Sequence, residues 1–383
     1  MAKQKISVLN ISMTSGGAEK VISLLLKKLV DDFEVTLILM YDHIHFDIPE
    51  GVDIEILSKK TEEKQASFFK QLGDSILFLR KYFKVIRSRE IDIAISFLAF
   101  PNFLNSLAAM RFSKLKTIVS ERGYPSDNTT SRLSYYISKI FYPLLYNRNT
   151  RLFSNSIYIN QDLADNFRVK IPMEVIYNPI EMPESQVAPD SLGIATDKLR
   201  TVTAGTLNER KNQAIIIKAI AEAAEGLELD IYGNGPLRSQ LEELIAEKGL
   251  GDSVFLKGRV KKVSERLVQY NCFVLSSNTE GFPNALLEAM AVGLPCISTN
   301  CLSGPLELLN GSADEIFIEK GSFYKGKNGL LINNGDHLGL HKALLYFKEH
   351  PGERVKFGAR ASAKAAEFEL GTVYDQFKNF IIS

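Results

Sequence analysis

Short apolar runs alternate along the chain with longer stretches in which apolar side chains return every three or four positions. In the first half, residues 6–12, 35–40, 54–57, 91–97, 116–120, 152–155 and 175–177 read as strands. Val21, Leu24, Leu25 and Leu29 are spaced as on a helix, and 64–88, 101–110 and 132–146 also read as helical, with Pro143 predicted to bend the last. Alternation of this kind predicts a parallel sheet covered by helices, with ligands at the carboxyl ends of the strands. The pattern recurs in the second half. Strands are predicted at 200–204, 229–232, 254–256, 272–275, 295–298 and 328–332, and helices at 213–223 and 284–292. Residues 352–383 read as largely helical, with Pro351 at the start and Gly371 as a break. Between the halves, 181–198 is polar and holds Pro183 and Pro189, which predicts a linker about which two lobes hinge around a cleft.

Length agrees with that division, because 383 residues exceed one ordinary core. The net charge of +1 leaves no nucleic-acid footprint, but it is unevenly spread. Residues 1–180 hold 24 Lys and Arg against 19 Asp and Glu, and the remainder holds 22 against 26. A basic first half suits an anionic acceptor or membrane surface. Cys272, Cys296 and Cys301 lie in apolar surroundings, and the five His residues show no ligand spacing, so a reducing compartment and no metal site are expected. Lys3 and Lys5 run directly into a strand instead of a signal-peptide core, and no apolar run approaches a membrane span. Cytoplasmic placement is expected, with peripheral contact at the inner face of the membrane. Two segments are candidates for that contact: 68–84, and 132–151, which has four basic residues, no acidic one, and Tyr135, Tyr136, Phe141, Tyr142 and Tyr146.

The chemistry concentrates in residues 272–295. An apolar strand, 272–275, enters a loop holding Gly281 and Pro283, and 284–292 contains strong helix formers without a breaker. Pro283 fits a first helical turn, Gly293 a left-handed end, and Pro295 forbids continuation. A helix starting at the end of a buried strand offers free N–H groups to an anion. Glu280 and Glu288 would repel a phosphate, so each is better placed on hydroxyls, one of a sugar and one of a ribose.

Glu280 and Glu288, with seven residues between them that include Gly-Phe-Pro-Asn, resemble the E-x7-E signature of retaining glycosyltransferase family 4, which has the GT-B fold. The resemblance covers the whole chain. It implies an α/β protein of two Rossmann-like domains, 1–180 for the acceptor and 199–365 for the nucleotide sugar, with 366–383 crossing back to the first through Phe377, Phe380 and Ile381. It further implies that Gly16 and Gly17 lie at the interdomain cleft, and that Glu121 and Arg122 belong to the acceptor side, where Gly123 replaces a common Asn. A structural ion pair of Glu121 is the competing reading. Asn178-Pro179-Ile180 resembles the family's domain end. Around Gly205, Lys211 falls on the family's Lys, whereas Thr206 replaces its Arg; Arg210 is the candidate to supply the second cation. Gly233, Asn234 and Gly235 match the nucleotide loop, Arg259 and Val260 the segment that holds the base, and 303–309 a variant found in surface-polysaccharide enzymes. There Glu307 reads as a helix N-terminal charge.

The reaction implied is transfer of a hexose or N-acetylhexosamine from a UDP-sugar to a saccharide on a polyprenyl diphosphate, with retention and without a metal. Lys211, Glu280 and Arg210 are the candidate catalytic residues. Glu288 is expected on the ribose, Glu280 on the donor sugar or diphosphate, and the amides of Gly281, Phe282, Pro283-Asn284 on sugar hydroxyls. A non-catalytic nucleotide-sugar-binding subunit and a nucleotide-sugar epimerase are the alternatives. Residues 321–328 imitate a phosphate loop, but Asn328 stands where its Ser or Thr belongs and a strand follows, so nucleotide hydrolysis is set aside.

Overall fold

The computed structural model describes residues 3–59, 68–127, 132–195, 197–223, 226–312, 314 and 316–383. The chain forms two units, one of residues 1–179 with 370–383 and one of residues 180–369. In the first, the apolar runs become β1 (Lys5–Asn10), β2 (Glu34–Tyr41), β3 (Val52–Ser58), β4 (Ile93–Phe97), β5 (Lys116–Glu121), β6 (Arg151–Ser154) and β7 (Met173–Val175). They pair in parallel in the order β3-β2-β1-β4-β5-β6-β7. Helices α1 (Gly17–Asp32), α2 (Phe68–Ser88), α3 (Ala99–Arg111), α4 (Arg132–Phe141) and α5 (Ile157–Asp165) connect them. Ile6, Ile93, Ile95, Ile118 and Leu152 are buried on the strands, as a sheet covered on both faces requires.

The second unit opens with α6 (Pro189–Gly193) and continues through β8 (Leu199–Ala204), α7 (Ala214–Ala221), β9 (Leu227–Tyr232), α8 (Arg238–Glu247), β10 (Val254–Gly258), α9 (Ser264–Leu267) and β11 (Cys272–Leu275). Then follow α10 (Asn284–Ala291), β12 (Cys296–Thr299), α11 (Gly304–Leu309), β13 (Phe323–Lys325), β14 (Leu330–Ile332), α12 (His337–Glu349) and α13 (Pro351–Ala366). The strand order is β10-β9-β8-β11-β12-β14-β13, parallel except for β13. The last helix, α14 (Leu370–Ile382), belongs to the first unit. There Phe377 and Phe380 lie 5.4 and 5.8 Å from the Phe153 ring, and Tyr374 and Lys378 both donate to Asp32.

Three details depart from expectation. The helix 132–146 is not merely bent: after α4, residues Tyr142–Tyr146 form a π-helical turn, since Pro143 has no N–H to continue the ladder. Helices α5, α8 and α12 carry no assignment from the sequence, although Ser156 and Asp336 cap two of them through Tyr158 N and Gly339 N. Finally, 181–198 is not a free linker. Val187 and Leu192 are buried, the Val187 N–H donates to Val292 O, and Arg354 grips the carbonyls of Leu192 and Ile194.

Candidate active site

In the second sheet the chain runs outward from β8 to β10, then returns to place β11 on the other side of β8. The loops leaving β8 and β11 therefore emerge side by side at the topological switch point, where sheets of this kind bind ligands. They are tied together by Asn278 N to Arg210 O at 2.8 Å, Ser276 Oγ to Lys211 O at 2.7 Å and Asn278 Nδ2 to Glu209 O at 2.9 Å. These bonds bring Lys211 and Glu280, distant in sequence, onto one another.

Glu280 is 6% exposed and accepts hydrogen bonds from Lys211 Nζ, from Arg210 Nη1 at 3.0 Å and from Ser277 Oγ at 2.6 Å. Burial pushes its carboxyl up, but the charges of Lys211 and Arg210 and the hydrogen bonds outweigh that and hold it below the ordinary range. It is an anion at neutral pH. Two cations share it, so the cluster keeps a net positive charge. The Lys211 side chain is 14% exposed, whereas that of Arg210 is half-exposed. Arg210 thus sits on the same carboxylate as Lys211, while Thr206 is exposed in the loop before it.

Helix α10 begins at Asn284 as expected, with Pro283 as its N-cap instead of in its first turn and the Pro283 carbonyl accepting from Leu287 N. Asn284 and Glu288, four apart, lie on the half-buried face of an otherwise buried helix. The helix ends as the sequence predicts. Gly293 has φ of 85°, its N–H donates to Met290 O, and Leu294 N donates to Ala289 O. Gly281 is buried, and the Phe282 ring turns inward onto Phe368 at 5.3 Å, so that side chain is core and only its backbone remains a candidate for ligand contact.

The glycines of the β9 loop have a nearer task than crowding a ligand. A Cβ at Gly233 would fall 1.8 Å from Gly205 O, and one at Gly235 would fall 2.3 Å from Leu207 O. They let the β9 loop lie against the β8 loop, where Leu207 N donates to Asn234 O. Asn234 and Arg259 are exposed, and Val260 is half-buried beyond β10.

In the first unit, Gly16 precedes α1 and Gly17 begins it, at the corresponding switch point beside β1. A Cβ on Gly16 would lie 2.2 Å from a carboxylate oxygen of Glu19. Glu19 is buried, and that burial raises its carboxyl. Glu121 lies at the end of β5 and turns its carboxylate toward two tyrosines. It is buried and accepts from Tyr146 Oη at 2.9 Å, Tyr142 Oη at 3.5 Å and Arg122 N at 3.3 Å. Burial pushes it up to about 7 against those bonds. Arg122 donates to Asn178 Oδ1 and lies over the rings of Phe97 and Phe153. The sequence reading named Tyr142 and Tyr146 only within 132–151 as a candidate for membrane contact, and nothing local in the sequence pairs them with Glu121.

Among the described residues, no group of three or more His, Cys, Asp or Glu is placed to hold a metal ion, and no helix is long and apolar enough to cross a membrane.

Two family models match, Glycosyltransferase Family 4 over residues 15–182 and Glycosyl transferases group 1 over residues 185–364. The chain is 32% identical over 337 residues to the N-acetylgalactosamine-N,N'-diacetylbacillosaminyl-diphospho-undecaprenol 4-alpha-N-acetylgalactosaminyltransferase of Campylobacter jejuni, covering 86% of this chain and 90% of that one. It is 25% identical over 98% of both chains to a second Campylobacter jejuni protein, the GalNAc-alpha-(1->4)-GalNAc-alpha-(1->3)-diNAcBac-PP-undecaprenol alpha-1,4-N-acetyl-D-galactosaminyltransferase. The fold is that of Anabaena HepE, solved with UDP-glucose, at TM-score 0.76 and 17% identity over 98% of each chain. Sucrose-phosphate synthase from Thermosynechococcus elongatus shares it at TM-score 0.79 and 15% identity, over 99% of this chain and 98% of that one. With both halves matched and the signature acid held by two cations at the switch point, the chain belongs to glycosyltransferase family 4, of the surface-polysaccharide type, on the GT-B fold.

Proposed function

We propose that this glycosyltransferase moves a hexose or N-acetylhexosamine from a UDP-sugar to a saccharide carried on a polyprenyl diphosphate, with retention at the anomeric carbon. The observation that carries the reading is the convergence of Lys211 and Arg210 on buried Glu280 at the switch point of the second sheet. A departing nucleoside diphosphate gains negative charge as the glycosidic bond breaks, and fixed cations stabilise that charge most in the transition state. In this reading the two cations serve the diphosphate in place of a metal, Glu280 aims them, and Glu288 accepts from the ribose hydroxyls. The Campylobacter jejuni relatives, named for undecaprenol-linked substrates, support the acceptor class, and HepE with UDP-glucose supports the donor.

The first test is a screen of UDP- and GDP-sugars for thermal stabilisation, followed by UDP release with and without a lipid-linked acceptor in the presence of a chelator. Release that depends on the acceptor supports a transferase. Interconversion of sugars without release indicates an epimerase, and binding without turnover a non-catalytic subunit. The anomeric coupling constant of the product reports retention. Glu288→Ala is expected to weaken donor binding by about 1.5–3 kcal/mol, the worth of a charged hydrogen bond, read as a tenfold or larger rise in Kd. An unchanged Kd removes Glu288 from the ribose.

Helix α4 supports contact with an anionic bilayer at the acceptor end of the reaction. Tyr136, Ile137, Ile140, Phe141 and Leu144 form an exposed stripe, beside exposed Lys139 and Arg148. On α2, exposed Ile76 and Leu77 adjoin exposed Arg80, Lys81 and Lys84. An apolar stripe flanked by cations suits the headgroup boundary. Ile140→Asp with Phe141→Asp is expected to abolish co-sedimentation with phosphatidylglycerol vesicles and leave the melting temperature within a few degrees. Undiminished co-sedimentation counts against α4 as the contact.

A further inference from the structure

Ser303 stands in a backbone conformation that glycine alone adopts readily. Its φ is 88° and its ψ is −150°, and it carries a side chain that is fully buried. No side chain enters that region without strain, so something at this position offsets it. The hydroxyl supplies the candidate: Ser303 Oγ donates to Gly281 O at 2.7 Å, and Gly304 N donates to the same oxygen at 2.7 Å. The fit around this double clamp is tight. A Cβ at Gly304 would lie 2.7 Å from Pro283 Cδ, 2.8 Å from Gly281 O and 2.8 Å from Phe282 Cα. The segment 303–304 is therefore pressed onto residues 281–283, the turn between signature Glu280 and helix α10.

A trans peptide is planar, with its carbonyl and N–H on opposite sides. Fixing the Gly281 oxygen with two donors fixes the peptide plane that Gly281 shares with Phe282, and with it the path into Pro283 and α10. We propose that Ser303 is a positioning residue for the donor: its hydroxyl locks the Gly281–Phe282 peptide and so presets the turn whose backbone groups meet the nucleotide sugar. The inference rests on the donor-binding reading given above. Ser303 itself touches no ligand, because it is buried. Serine in place of the glycine that this backbone prefers is explained by the lock, which glycine lacks.

Two variants separate positioning from support. Ser303→Gly removes the hydroxyl and relieves the strain. Ser303→Ala removes the hydroxyl and keeps the strain. In both, Gly281 O retains its bond from Gly304 N, so no buried acceptor is orphaned. Expected for Ser303→Gly is a melting temperature no lower than wild type, together with about a tenfold loss of kcat/KM for the UDP-sugar and an unchanged KM for the acceptor. Ser303→Ala should show the same kinetic loss with a lowered melting temperature. A Ser303→Gly enzyme with wild-type kcat/KM overturns the proposal, as does activity in the two variants that simply follows their stability. Wild-type protein that turns over no nucleotide sugar instead refutes the donor reading, which keeps the two failures distinct.

Discussion

Replacing Lys211 with alanine is expected to lower kcat by about a hundredfold to a thousandfold, the effect of removing one fixed donor from a charge that develops in the transition state. The donor Kd should change far less, because the diphosphate in the ground state is still met by Arg210 and by the loop backbone. The size of the effect follows from burial. Lys211 lies against a carboxylate that is 6% exposed, and its own side chain is 14% exposed, so water screens it little. Arg210 reaches the same carboxylate from a half-exposed position, and Arg210→Ala should cost only about tenfold. Some stability is lost with Lys211, since Glu280 keeps a buried charge with one cation fewer. Rates are therefore compared at a temperature where both proteins are folded. Steady-state UDP release measures the outcome, and wild-type kcat in Lys211→Ala would remove the leaving-group role.

Arg354→Met is expected to destabilise the second unit by about 3–5 kcal/mol, a fall in melting temperature of about 6–20 °C for a unit of this size. Arg354 is fully buried near the start of α13. It donates to Leu192 O at 2.9 Å, Ile194 O at 2.6 Å, Lys348 O at 3.2 Å and Phe347 O. One guanidinium thus satisfies carbonyls at the end of α12 and along the segment that opens the unit. Methionine keeps the apolar stem but leaves those oxygens unmet in the interior, at about 1–3 kcal/mol each, reduced by relief of burying the charge. Calorimetry measures the shift, and proteolysis of residues 181–198 should accelerate. An unchanged melting temperature would show that water or rearranged backbone meets the carbonyls equally well.

Much of the fold was legible because its cues are local. Continuous apolar runs such as 272–275 mark strands buried on both faces, and the helical period of Val21, Leu24, Leu25 and Leu29 marks α1. Gly293 could be assigned its left-handed end because a helix that must stop before Pro295 has few other ways to close. Asp336 gives α12 a local start signal of the same kind, a side chain that accepts from Gly339 N. Other features were not legible in this way. Arg354 in a helical stretch reads as a solvated cation, and only packing makes it a buried clamp. Glu121 next to Arg122 invites an ion pair, yet β5 turns its carboxylate toward Tyr142 and Tyr146. Polar composition made 181–198 read as a linker, although Val187 and Leu192 bury themselves on the second unit.

The sequence alone determined the alternation of strands and helices, the two-part division and the strand–turn–helix that carries Glu280 and Glu288. These depend on residues adjacent in the chain, whose spacing sets which side chains share a face. Tertiary structure decided that Glu280 meets Lys211 and Arg210, that Gly233 and Gly235 make room for another loop, and that Ser303 holds Gly281 at the expense of its own backbone. Those contacts exist because β9 and β11 flank β8 in the sheet and β12 pairs with β11. Strand order is settled by how a whole sheet buries its faces, and no local spacing encodes it.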